Sequence, residues 1–85
     1  MSDLLRIRDK IFNKIKEFMP HKPEYDINKS LLCVFIETAH LDNEYNNLLI
    51  KELKKVLTSD NQKNRYEHLI YKSDSFISII VCLVK

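Results

Sequence analysis

The sequence predicts one small α+β domain over residues 1–85, with two amphipathic helices covering a three-stranded mixed sheet in the order α-β-α-β-β. Three observations predict it. Apolar residues recur at three- and four-residue spacing within 2–19 and again within 43–57, the period of a helix with one buried stripe. Residues 31–36 and 76–84 are apolar runs rich in Ile, Val and Phe, as buried strands are. The chain is 45% hydrophobic and 31% charged, a globular rather than a disordered balance. At 10.2 kDa it has room for one core, and a folded chain of that mass exposes ~5,300 Å².

In the first helix Ser2 suits the N-cap and Asp3 the first turn. Leu4, Ile7, Ile11, Ile15 and Phe18 form the stripe, widened by Leu5, Phe12 and Met19. Arg6, Lys10, Lys14 and Glu17 lie on the outer face, and Pro20 and Pro23 end the helix. His21–Lys29 reads as a polar connector. Leu31–Ile36 is the first strand, leaving at Glu37-Thr38. Asp42 or Asn43 can cap the second helix, whose stripe is Tyr45, Leu48, Leu49, Leu53, Val56 and Leu57. Lys51, Glu52, Lys54 and Lys55 occupy its outer face. Thr58–Asn64 reads as a loop.

Tyr66–Tyr71 favours a short strand; Ser59 with Gln62 has capping-box spacing, so a helical turn there is the alternative. Lys72–Ser75 is a turn. Phe76–Val84 is the clearest strand, with Ile77, Ile79, Val81 and Leu83 on one face and Phe76, Ile80, Cys82 and Val84 on the other. A strand apolar on both faces belongs in the centre of a sheet or under cover. A β-α-β crossover would set the first two strands parallel. The order is similar to a trimmed thioredoxin-type arrangement, but the redox C-x-x-C is missing, so the similarity is topological alone.

The chain contains no glycine, where average usage of ~7% predicts about six. Glycine serves positive φ and close backbone approach to ligands. Its absence removes the P-loop, the dinucleotide fingerprint, the nucleophile elbow and the EF-hand loop. Turns must use Asn, Asp, Ser and Pro. Charges near the start (Asp3, Arg6, Arg8, Asp9, Lys10) argue against a secretory leader, and the longest apolar run is far short of the ~20 residues of a membrane span. Cys33 and Cys82 sit in apolar runs and read as buried free thiols of a reducing, cytoplasmic setting; a disulfide between them needs neighbouring strands in the right geometry. The 11 lysines against 3 arginines, with abundant Ile and Asn, suit an AT-rich coding genome such as that of a virus, a phage or a low-GC bacterium.

Chemistry finds little support. Glu37 and His40 have the Glu-x-x-His spacing of half a di-metal site, without a second copy. His21, His40 and His68 match no short zinc spacing. The cysteines are expected to face the core, where a thiolate is suppressed. No catalytic residue, metal or cofactor is therefore expected. The expected role is a non-enzymatic interaction protein (an adaptor, regulator or inhibitor) that binds another protein and forms a homodimer through Phe76, Ile80 and Val84. The alternative is a nucleic-acid-binding module using Arg6, Lys10, Lys14, Lys51, Lys54 and Lys55, because residues 1–22 and 48–72 are basic around an acidic 23–47. A net charge of +2 and scarce arginine put that second. A hydrolase or nuclease using Glu37 and His40 is third.

Overall fold

In the computed structural model, which describes residues 2–61 and 64–84, the first helical stripe forms α1 (Ser2–Lys16). Leu4, Ile7, Ile11 and Ile15 are fully buried. Ser2, expected as the cap, is already helical, and the helix stops short of residue 19. Its last turn tightens, with the Glu17 and Phe18 amides donating to carbonyls three residues back, before Pro20 ends the run.

The expected connector 21–29 contains a strand, β1 (Glu24–Ile27), paired antiparallel with β2 (Leu31–Glu37). Asn28 makes the turn: its Oδ1 accepts from the Ser30 and Leu31 amides, both at 2.9 Å. β1 is short, with two acidic residues, which is how an edge strand discourages further pairing. Arg8 fastens it to α1, donating to the Tyr25 hydroxyl at 2.9 Å and lying over the Tyr25 ring, which meets Phe12 edge-on.

α2 (Asn43–Asp60) is capped by Asp42, which accepts from the Tyr45 amide at 2.8 Å. Its buried stripe is Asn46, Leu49, Leu53 and Leu57, so the helix is rotated from the expected stripe and leaves Tyr45 and Leu48 exposed. Thr58, Ser59 and Asp60 are helical rather than loop. Asn61 closes the helix: its amide donates to Leu57 O and Thr58 O, and its side chain holds Arg65 N, Tyr66 N and Tyr66 O. Gln62, the other half of the supposed capping box, lies outside the described residues. Ser59 stands in the last turn of α2, and Tyr66 begins a strand.

β3 (Tyr66–Lys72) and β4 (Phe76–Leu83) form a hairpin around Asp74 and Ser75. The sheet has four strands in the order β1-β2-β4-β3, with every neighbour antiparallel. This corrects the three-stranded mixed sheet. β2 and β3 do run the same way across the α2 connection, but β4 slots between them, making a split β-α-β unit. The thioredoxin-type similarity falls with the parallel pairing. Read cyclically from β2, the elements run β-α-β-β-α-β, and β4-α1-β1 is split in turn by β2. β4, apolar on both faces, is central as expected.

Both helices cover one face. Leu32, Val34, Ile36, Ile77, Ile79 and Val81 point into them and are 0–1% exposed. The helices are antiparallel: Phe18 near the end of α1 packs on Tyr45 at the start of α2, and Arg6 and Lys10 meet Asp60 at the end of α2. Asp60 stands at the helix end where the dipole disfavours a carboxylate, and its side chain is only 4% exposed. Burial alone would raise its pKa; hydrogen bonds from Lys10 and Arg6 outweigh that and hold it below the ordinary carboxylate value. Tyr66 adds to the cluster, its hydroxyl donating to Leu57 O at 2.8 Å and approaching Asp60 at 3.2 Å. Burial and this carboxylate push the phenol pKa up.

Asp60→Asn is expected to cost about 1–2 kcal/mol at neutral pH, discounted because Arg6 and Lys10 are half exposed. A folded-state pKa that is depressed gives stability above the free carboxylate's pKa and loses it below. Denaturant titrations should therefore show the wild-type advantage intact above about pH 5 and shrinking as pH falls below about 4. An advantage that grew with acid would contradict the depressed pKa.

Candidate functional site

Directly paired residues of antiparallel strands share a face, so the register assigns the uncovered side of the sheet. One row runs Glu24, Phe35, Ser78, Tyr71; the next runs Asp26, Cys33, Ile80, Leu69. Leu31, Cys82 and Glu67 follow at one end, Glu37 and Phe76 at the other. No helix lies on these residues. Leu69 is 60% exposed, Tyr71 58%, Phe35 47% and Phe76 40%. The chain exposes 5736 Å², above the ~5,300 Å² usual for its mass. The apolar zone across β2, β4 and β3 is roughly 25 by 15 Å from strand rise and spacing, within the ~300–600 Å² of a functional surface patch.

Of the expected self-association residues, Phe76 and Ile80 lie together on this face. Val84, one residue beyond β4, continues the alternation and donates its amide to Arg65 O at 2.8 Å. Both cysteines also belong here, which overturns their expected core placement: Cys33 is half-buried, Cys82 is exposed, and both are free thiols. β2 and β4 are neighbours, but Cys33 pairs with Ile80 and Cys82 with Leu31, so the two stand diagonally. Diagonal pairs are ~7–8 Å apart, beyond the usual disulfide span.

The charged strand residues of this face are Glu24, Asp26, Glu37 and Glu67, with no Lys or Arg among them. All four are exposed, and none has an ion-pair partner among the described residues. At the Glu37 end the face opens into a cleft of about 600 Å³ between the α1–β1 connector and the exit of β2. His21, Lys22 and His40 form its polar wall with Glu24 and Glu37, and Phe35 and Phe76 its aromatic floor. The His21 and His40 rings meet edge-on at 5.8 Å. The sequence pairs Glu37 with His40 by spacing and sets His21 beside His40 only as part of a zinc set with His68; Glu24 at this end is not foreseen, because no strand is expected at 24–27. His68 lies on β3 opposite Val81, on the helix-facing side. Among the described residues no three His, Cys, Asp or Glu side chains are grouped to hold a metal ion.

The lysine faces fare differently. Arg6 pairs with Asp60 and Asp3, Lys10 with Asp60, Lys14 with Glu17, and Lys55 with Glu52. Lys51 and Lys54 are exposed and, among the described residues, in no ion pair; with Lys55 they border a shallow depression on α2. Phosphates would have to compete with internal carboxylates for four of the six side chains.

No known protein-family model matches the chain, and no curated protein matches it. No described helix is long and apolar enough to cross a membrane.

Proposed function

We propose that this protein is a non-enzymatic interaction module whose uncovered sheet face docks another protein. The supporting observation is the pairing of a two-helix cover on one face with Phe35, Leu69, Tyr71, Phe76 and Ile80 bare on the other. Contiguous exposed apolar surface of this kind marks interaction sites. A reducing, intracellular setting would keep Cys33 and Cys82 as thiols on such a face. Self-association through Phe76, Ile80 and Val84 is the second use proposed for it. Facing copies would oppose their own carboxylates, which limits pairing to a weak equilibrium promoted by salt.

Capture from a lysate of the native host tests the reading. Bait carrying Leu69→Ser and Ile80→Ser should lose the proteins held by the unaltered chain. Bait with Lys10, Lys14, Lys54 and Lys55 changed to Gln should keep them. The reverse pattern would favour the helical lysine faces. Titration with DNA and RNA at two salt concentrations would then be decisive, since each lost phosphate contact lowers the salt slope by about 0.7–0.9.

A further inference from the structure

We infer that the occupant of the open face is a basic polypeptide segment, with an arginine seated in the corner formed by Phe35, Phe76, Glu24 and Glu37. The inference rests on the docking reading above and adds the chemistry of the partner. Glu24 stands directly across the ladder from Phe35, and Glu37 directly across from Phe76. Phe35 pairs with Ser78, two residues from Phe76, so the two rings are diagonal neighbours; Glu37, two residues past Phe35 on β2, stands beside both, and Glu24 lies beyond Phe35 on β1. Tyr71 extends the aromatic surface, its ring 6.4 Å from that of Phe76. A planar guanidinium stacks on aromatic rings and offers its N–H fork to carboxylates. This corner supplies both surfaces at once.

Charge separates this occupant from the others. The strand residues of the face bear four carboxylates and no Lys or Arg. Lys22 of the α1–β1 connector, the one Lys or Arg lining the corner cleft among the described residues, is in no ion pair with Glu24 or Glu37 there, so two carboxylates face a single lysine. Arg6, Lys10, Lys14 and Lys55 on the helices are already paired. Aromatic rings on a four-stranded sheet can stack nucleic-acid bases, but here phosphates would meet the carboxylates. A second copy placed face to face would bring like charges together. A basic, partly apolar segment satisfies both the charge and the apolar centre around Ile80 and Leu69.

The probe is a labelled peptide of alternating arginine and leucine, titrated by fluorescence anisotropy against the full chain at low and near-physiological salt. It should bind, and more weakly as salt rises. Glu24→Gln with Glu37→Gln should weaken it at least about tenfold, since paired interfacial charges are hot spots. Phe35→Leu with Phe76→Leu, which keeps the apolar surface and removes the rings, should also weaken it. Thermal melts of both variants should match the parent. Equal binding by the Gln variant would overturn the inference. So would equal binding of a peptide with glutamate in place of arginine, or tighter binding of oligothymidylate. Sedimentation of the chain alone as a dimer that persists at low salt would give the face to a second copy instead. If capture depends on Leu69 and Ile80 while arginine preference fails, only the partner's chemistry is wrong; if capture ignores the face, the docking reading itself fails.

Discussion

Ile79→Asp is expected to leave no cooperatively folded protein. Ile79 is fully buried in β4, the central strand, between Val34 of β2 and Ile70 of β3. A carboxylate there would have no cation and no water, a cost of several kcal/mol against a total stability of about 5–15 kcal/mol for a domain. Ile80→Asp is the control. One residue along, the side chain emerges on the open face at 37% exposure. Poor strand propensity there costs no more than about 1 kcal/mol. Circular dichroism melts of the two purified variants would compare them directly. A cooperative melt for Ile79→Asp, or collapse of both alike, would refute the assigned faces of β4.

Leu53→Ala is expected to have the next largest effect. Leu53 is fully buried midway along α2, between Leu49 and Leu57 in the stripe. Truncation removes apolar contacts and opens a cavity, typically costing 2–5 kcal/mol, here written as about 3. For a domain of this size each kcal/mol moves the melting temperature by roughly 4–8 °C, so a drop of roughly 12–24 °C should appear by calorimetry. Leu48→Ala, on the exposed side of the same helix, should move it by a few degrees at most. Equal shifts would mean that the helix buries a different stripe.

The apolar runs at 31–36 and 76–84, rich in Ile, Val and Phe, made β2 and β4 legible, because a continuous apolar pattern is local. β1 was not legible: four residues with two carboxylates resemble a loop until β2 supplies a partner. The strand order was hidden for a related reason, since slotting β4 between β2 and β3 is a choice among long-range pairings. Cys33 and Cys82 were misplaced because a run apolar on both faces does not say which face the helices will cover. The stripe of α2 is legible in Leu49, Leu53 and Leu57, which are buried as expected, but its edge is not: Tyr45 and Leu48 are exposed, and Asn46 occupies a buried position that a hydrophobic count skips. The Asp60 cluster had no local signal, its partner Arg6 being 54 residues away. Of the candidate surface, Phe76 and Ile80 were found from strand parity. Phe35, Leu69 and Tyr71 required the register.

Asn64 is the non-glycine residue with positive φ, 51°, among the described residues, and no glycine is present to share that work. The consequence lies outside the native fold. Every residue of the denatured chain carries a Cβ, which narrows the backbone conformations that folding must give up. Exchanging a glycine for a compatible residue stabilises a protein by about 0.4–1 kcal/mol through the denatured ensemble, so a shortfall of about six is worth a few kcal/mol. A two-layer domain with one bare sheet face has no second apolar layer to stabilise it. Part of its margin resides in the stiffness of its own unfolded chain, where no contact map would show it.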